Sequence, residues 1–200
     1  MCSRRPPTRR RCSRSRFAGS SLAAPRNDWP TNGGDWYNRR YSPLKEINRD
    51  SVARLKGVWR VHLNGSGFGP QYSGEAQPIF FNGALYVSTG ANDVFAIDVD
   101  SGKFLWTYEA RLDPAISTVC CSWTNRGVAL GDGKVFAGQL DGKLVALDQK
   151  TGKVVWSVQA EKWQDGFTIT TAPLYYDGLV ITGFAGAEFG VRGRVKAYDA

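Results

Sequence analysis

The sequence contains a single histidine, His62, with no cysteine or histidine partner at metal-ligand spacing. A histidine-centred metal site is thereby excluded, and His62 reads as structural. No apolar run approaches the roughly 18 residues that a membrane-crossing helix needs. Apolar residues at helical spacing are also scarce, which argues against an α-helical fold. Acidic residues are missing from the first 16 positions, which carry seven arginines, so almost all of the net charge of +8 resides there. The remainder is nearly neutral, and the basic balance is no case for nucleic-acid binding.

Residues 1–27 form a leader rich in arginine, serine and proline that is not expected to fold. Three readings are open. An RNA-binding tail lacks support, because no aromatic residue interleaves with the arginines before Phe17. Residues 17–24 resemble the end of an export signal but are short and weakly apolar for one, and the pair Arg4-Arg5 is not followed by an apolar segment. The third reading, a misassigned start or a frameshift, is the one we favour. Cys2 and Cys12 fall in this leader and receive no role. The folded part is expected over residues 28–200.

With 42% hydrophobic residues, 23 glycines and seven tryptophans, that part reads as globular, turn-rich and aromatic-rich. It also repeats itself. Ala96-Ile-Asp98-Val-Asp-Ser-Gly102-Lys103-Phe-Leu-Trp106 matches Ala146-Leu-Asp148-Gln-Lys-Thr-Gly152-Lys153-Val-Val-Trp156 at an offset of 50, and Ala197-Tyr198-Asp199 opens a third copy. Trp59 closes an earlier one, 47 residues before Trp106. A second marker runs in phase: Asn82-Gly83, Asp132-Gly133 and Asp177-Gly178, each followed by an apolar run. Such dipeptides tolerate positive φ and signal two-residue hairpins. Each unit therefore predicts strand, hairpin, strand, a turn at Asp-x-x-Thr/Ser-Gly-Lys, and a strand ending in tryptophan. A period near 50 with four short strands per unit predicts an all-β fold, a β-propeller, with about three blades present. The recurrent tryptophan is expected to pack each blade on its neighbour. Asp98, Asp148 and Asp199 belong to the repeat turns, where aspartate is favoured for local hydrogen bonding. A ring needs at least about four blades to close, so the chain is expected to be part of a larger propeller.

One feature stands outside the repeat, the adjacent pair Cys120-Cys121. Neighbouring Cα atoms lie about 3.8 Å apart, whereas ordinary disulfides span about 4.4–6.8 Å. A bridge here would be a strained ring, of the kind retained where a site uses it. Two reduced thiols packed as small apolar groups are the other reading.

The repeat unit resembles that of pyrroloquinoline-quinone (PQQ) proteins, and five further segments resemble the N-terminal part of PQQ-dependent alcohol dehydrogenases of the methanol/ethanol type. They are Asp28-Trp-Pro-Thr-Asn-Gly-Gly34 with Arg40-Tyr41-Ser-Pro-Leu44; Gly74-Glu75-Ala76; Cys120-Cys121 with Asn125-Arg126-Gly127; Thr168-Ile-Thr170-Thr-Ala-Pro173; and Gly186-Ala187-Glu188-Phe-Gly190-Val-Arg192-Gly193. The resemblance implies an eight-bladed ring, of which this chain would supply a little under half. It implies a quinone near the propeller axis, between a Cys120–Cys121 disulfide and a tryptophan beyond residue 200, with Ca²⁺ or a lanthanide beside it.

By the same resemblance, Glu75, Cys120, Cys121, Arg126, Thr170, Gly186 and Ala187 would bind the cofactor and Glu188 would ligate the metal. Residue chemistry suits these roles. PQQ bears three carboxylates, and the guanidinium fork of Arg126 is a natural partner for one; the alternative is a structural salt bridge. Thr170, with Thr168 and Thr171 as competitors for its role, is otherwise an ordinary strand threonine. Gly186 and Ala187 would admit the quinone close to the backbone, or else make a tight turn. Ala185 stands where the family often has serine, so a hydroxyl contact is lost. Glu188 offers the carboxylate oxygens that hard cations prefer; otherwise it is a loop carboxylate. Glu75 is otherwise a solvated charge at a strand start.

The activity implied is oxidation of a small alcohol, with electrons passed to a cytochrome c-type acceptor. A disulfide needs an oxidising compartment, and the family is periplasmic. The family's catalytic aspartate, second metal ligand and quinone-side arginine lie beyond residue 200, so no catalytic residue is assigned here and the chain alone is expected to be inactive. A non-catalytic propeller scaffold or sensor is the alternative, but it needs neither the cysteine pair nor Arg126 nor Glu188. A PQQ sugar dehydrogenase is a second; the cysteine pair with Gly186-Ala187-Glu188 leans towards the alcohol branch.

Overall fold

Asn82-Gly83, Asp132-Gly133 and Asp177-Gly178 all adopt positive φ at both positions, from +46° to +80°, and each closes a tight hairpin. The computed structural model describes residues 28–35, 37–67 and 72–200; the leader with Cys2 and Cys12 lies outside them. Among the described residues, thirteen strands run β1 (Tyr72–Ser73), β2 (Ile79–Phe81), β3 (Ala84–Ser88), β4 (Val94–Asp98), β5 (Phe104–Tyr108), β6 (Trp123–Thr124), β7 (Ala129–Gly131), β8 (Lys134–Gly138), β9 (Lys143–Asp148), β10 (Val154–Gln159), β11 (Leu174–Tyr176), β12 (Leu179–Gly183) and β13 (Val195–Asp199). They form two four-stranded antiparallel blades, β2-β3-β4-β5 and β7-β8-β9-β10, and a three-stranded blade, β11-β12-β13. The repeat thus delivers the expected all-β partial propeller. A short parallel pair, β1·β6, lies outside the blades.

The middle blade is buried on both faces, and strand alternation divides its side chains between two neighbours. Val135, Ala137, Val145 and Leu147 pack with Ile79, Tyr86, Val94, Ala96 and Trp106 of the first blade. Phe136, Leu144 and Ala146 turn the other way, onto Tyr175 and Val180 of the third. Phe136 stacks on Tyr175 with ring centres 5.8 Å apart. Each interface is the sheet-on-sheet packing that holds stacked blades.

The aspartate turns take the predicted form. Asp148 Oδ1 accepts from the Thr151 amide at 2.8 Å and its hydroxyl at 2.7 Å, and the Gly152 amide donates to the Asp148 carbonyl at 2.8 Å. Ser101 and Gly102 repeat these contacts with Asp98. Each turn then receives the tryptophan of the preceding repeat. Trp59 Nε1 donates to the Val99 carbonyl at 2.7 Å, and Trp106 Nε1 to the Gln149 carbonyl at 3.0 Å. The indoles lie so close to Gly102 and Gly152 that a Cβ there would stand 2.7 Å and 2.6 Å from the ring. The register shifts just before each strand tryptophan, which leaves Leu105 and Val155 unpaired and about half exposed. Such bulges re-aim the following side chain, and here that side chain is the indole. Sequence alternation alone did not reveal them.

A charge cluster joins the second and third blades. Arg194 and Lys196 of the third blade both reach Glu161 Oε1, at 2.7 and 2.8 Å. Together they hold the Glu161 carboxyl below its usual range, Lys196 contributing most, against an opposing effect of burial.

Two outcomes follow from this architecture. Gly152→Ala forces an L-residue into φ +69° and displaces the Trp106 indole, which costs about 1–3 kcal/mol; a lowered urea midpoint checks it. Glu161 stabilises the fold at pH values above its unfolded pKa of about 4.3. Because its folded pKa is depressed, that stabilisation is lost as pH falls through the lower, folded value. Glu161→Gln is therefore less stable than wild type at pH 7, and the gap closes in acid; a gap independent of pH contradicts the assignment.

A candidate cofactor and metal pocket

The loop from the first blade to the second is fixed by two anchors. Trp123 is buried against Ala91, Leu112, Ile116 and Leu140, and its Nε1 donates to the Ile116 carbonyl at 3.0 Å. Asn125 is fully buried. Its Oδ1 accepts from Ser88 Oγ at 2.6 Å and the Gly127 amide at 2.8 Å, and its Nδ2 donates to the Gly138 carbonyl at 2.9 Å. One carboxamide thus ties the ends of β3 and β8 to the loop. The sequence motif contains Asn125, but its clamping role was not read from it; a polar residue between two cofactor candidates is the one signal that pointed there.

Arg126 follows from this clamp. Its amide donates to the Thr170 carbonyl at 3.1 Å, and its Nη2 pairs with Glu75 Oε2 at 2.8 Å. Glu75 Oε1 accepts from Ser73 Oγ at 2.8 Å. The Ser73 hydroxyl chiefly, then the charge of Arg126 and the nearby Thr124, hold the Glu75 carboxyl below its usual range, against partial burial. Arg126 and Glu75 are therefore charged partners at neutral pH.

These side chains line a cavity of about 290 Å³ with Cys120, Cys121, Ser122, Thr124, Thr168, Thr170, Ala185, Gly186, Glu188 and Phe189. Seven of the eight sequence-predicted residues share it. Ala187 does not; it is exposed, at the start of a 3₁₀ turn over Ala187–Phe189. Thr168 is buried and bridges to Ala185 through backbone hydrogen bonds of 3.2 and 2.9 Å. A larger groove of about 680 Å³ is lined by balanced charges, among them Arg111, Asp113, Asp141 and Lys143, and holds none of the predicted residues.

The two cysteines are exposed at the cavity wall, with their unbonded Sγ atoms 2.6 Å apart. Ser122 beside them has φ +96°, an unusual conformation for a residue with a side chain. The Cys120 thiol is pushed up to about 11, first by its hydrogen bond to Cys121, then by desolvation, the charge of Cys121 and the Glu188 carboxylate. Glu188 is thus within electrostatic reach of the cysteine pair, although the two lie 68 residues apart in sequence.

Gly186 lines the cavity for a reason different from the first expectation. It has φ +136°, and a Cβ there would meet the Gly166 carbonyl oxygen at 1.9 Å. The turn itself requires glycine, before any ligand is considered. Among the described residues, no group of three or more histidine, cysteine or carboxylate side chains is placed to hold a metal. Glu188 therefore supplies one hard oxygen donor rather than a complete coordination shell. His62 is exposed and distant in role from this pocket.

A guanidinium, several hydroxyls, a carboxylate and two sulfurs in one cavity suit an acidic planar ligand with a cation beside it. The residues present fit an acidic planar group such as PQQ, and Glu188 offers one donor oxygen to a hard metal ion beside it. Thr124, 7% exposed, packs its hydroxyl close to Glu75 at the edge of the cavity.

Comparison with known proteins agrees. The family profile described as glucose/ethanol/alcohol dehydrogenase, β-propeller domain, with PQQ, matches residues 29–200. The chain is 44% identical over 169 residues to the quinoprotein alcohol dehydrogenase PedH of Pseudomonas putida, covering 84% of this chain and 28% of that protein. The crystal structure of the quinohemoprotein alcohol dehydrogenase of Comamonas testosteroni superposes with a TM-score of 0.81 at 42% identity, over 88% of this chain and 26% of the other. A europium-containing methanol dehydrogenase superposes with a TM-score of 0.78 at 36% identity, over 86% of this chain and 30% of its own. The chain therefore spans between a quarter and a third of the length of these relatives. On this match, and on the blades and pocket described above, the chain belongs to the β-propeller family of PQQ-dependent glucose, ethanol and alcohol dehydrogenases.

Proposed function

We propose that the protein to which this segment belongs oxidises small alcohols to aldehydes with PQQ and a bound metal ion, Ca²⁺ or a lanthanide, and passes the electrons to a cytochrome c-type acceptor. The observation that carries this reading is the convergence of Glu75, Cys120, Cys121, Arg126, Thr170, Gly186 and Glu188 on one cavity from segments up to 113 residues apart. The likeness to a quinohemoprotein supports a haem acceptor, and the europium of the second structure supports a lanthanide as readily as Ca²⁺.

When bound, the quinone supplies the two-electron acceptor and the metal ion supplies Lewis acidity. The chain's own residues hold and orient. Arg126 would grip a carboxylate of the cofactor while Glu75, itself tied to Ser73, fixes the guanidinium in place. Thr170, bonded through its carbonyl to the Arg126 amide, would present its hydroxyl alongside. Glu188 would donate to the metal from the wall that carries the cysteines. We further propose that Cys120 and Cys121 are oxidised to a disulfide that forms one flat wall of the pocket, in an oxidising, periplasmic compartment. We further propose that the base that accepts the alcohol proton is supplied from outside these residues, so that this segment alone would be inactive.

Reconstitution tests the proposal. The complete protein, supplied with PQQ and Ca²⁺ or a lanthanide, reduces an artificial dye with ethanol as donor, and Glu188→Gln raises the metal concentration for half-activation by at least about tenfold. Absence of turnover with every metal, or an unchanged metal requirement in the variant, contradicts the assignment.

A further inference from the structure

Trp59 holds the place of a tryptophan on a blade's outermost strand, but among the described residues no blade surrounds it. Its indole makes with the first blade the contact that Trp106 makes with the second. Trp59 Nε1 donates to the carbonyl of Val99, just past β4, as Trp106 Nε1 donates to that of Gln149, just past β9. Further on, Ser66 is fixed at the other end of β4. Its amide and hydroxyl donate to Asp93 at 2.8 and 2.6 Å, and its Oγ accepts from the Arg111 amide at 3.0 Å. The segment between these anchors therefore runs the length of β4. β5 is seated on the second blade in the same way, with Trp106 at one end of β9 and Tyr108, whose hydroxyl accepts from Gln139 at 3.0 Å, at the other.

Burial in this segment follows the strand period. Trp59, Val61 and Leu63 are half-buried, and Arg60, His62 and Asn64 between them are exposed. Val58, directly before the tryptophan, is 87% exposed, in the place where Leu105 and Val155 stand half exposed before Trp106 and Trp156. Yet among the described residues no backbone hydrogen bond joins residues 56–65 to any other segment. Nor does the chain enter this strand as it enters β5 and β10. The Asp-x-x-Thr/Ser-Gly-Lys turn is missing before Trp59, and a 3₁₀ turn at Val52–Arg54 stands in its place. A segment held at both ends, with strand periodicity and unpaired backbone groups, is a template for strand addition.

We propose that residues 57–64 are the outermost strand of a further blade beside the first, whose inner strands come from a segment of the same protein outside residues 1–200. The strand pairs already formed describe the partner. Ala96 lies opposite Trp106 and Ala146 opposite Trp156, each within a wholly buried run, residues 94–97 and 144–147. The strand that adds to this edge is thus an apolar run with alanine in third place, laid antiparallel with the alanine against Trp59. The seat of Trp59 sets the new blade directly beside the first, the place that a closed ring gives to its last blade. The chain spans between a quarter and a third of the length of its relatives, so a distant segment of the same protein is the occupant. Early and late parts of the protein are then joined in one blade, and the ring is clasped by main-chain hydrogen bonds.

The test uses the complete protein without PQQ, so its outcome is separate from the cofactor reading. Hydrogen exchange of the unmodified protein is followed at residues 57–64. These amides should exchange at least about a hundredfold more slowly than in an unstructured peptide, as a paired strand does. Exchange at the unstructured rate overturns the proposal. In a second measurement the photoreactive amino acid p-benzoylphenylalanine replaces Arg60, an exposed position that corresponds to Thr107, opposite Phe95. Irradiation should join position 60 to an apolar run outside residues 1–200 within one polypeptide. A cross-link confined to residues 28–200, or no cross-link, overturns the proposal. A cross-link between two polypeptides also overturns it and assigns the edge to a second copy of the chain.

Discussion

The fully buried carboxamide of Asn125 is the interaction on which the pocket depends. It is one of the few polar side chains in the interior, and its three hydrogen bonds reach Ser88 in the first blade, Gly138 in the second and Gly127 in its own loop. Buried amide groups that lose their partners are expensive, so the clamp fixes the spacing of the first two blades and the path of the loop together. Thr124 precedes it and Arg126 follows it. Asn92 makes a related tie from the first blade, accepting from the Leu140 amide at 2.6 Å. Blade stacking by tryptophan over the aspartate turns supplies the outer restraint; these amides supply the inner one.

Within this frame the pocket is arranged by charge. Arg126 and Glu75 neutralise each other on one side, and Ser73 keeps the carboxylate in place. Glu188 and the cysteine pair lie together at the cavity, where the hydrogen bond to Cys121 chiefly, then burial, the charge of Cys121 and the Glu188 carboxylate push the Cys120 thiol up to about 11.

Much of the propeller was legible in the sequence because its signals are local. Asn82-Gly83 and its two counterparts encode hairpins through the φ values that those residues tolerate. The Asp98 and Asp148 turns encode themselves through side-chain bonds that span three residues. The role of the recurrent tryptophan could be expected, although the bulges at Leu105 and Val155 could not, since a one-residue insertion leaves no period. The candidate pocket residues were reached only through resemblance to a family's motifs: Glu75, Cys120, Arg126 and Glu188 have no periodic relation to one another. What escaped was whatever depends on contacts far along the chain. Asn125 bonds a residue 37 positions away, Gly186 is required by the carbonyl of Gly166, and Thr124 is an ordinary strand threonine until its burial is seen. Ala187, expected beside the cofactor, is exposed at the start of a 3₁₀ turn whose next two residues, Glu188 and Phe189, line the cavity.

A crystal structure of the complete protein grown with PQQ and europium tests the central claim most directly. The account predicts quinone density against the Cys120–Cys121 wall with a carboxylate at Arg126, and an anomalous europium peak about 2.3–2.6 Å from a Glu188 carboxylate oxygen. Quinone or metal bound elsewhere, with this cavity filled only by solvent, would contradict it.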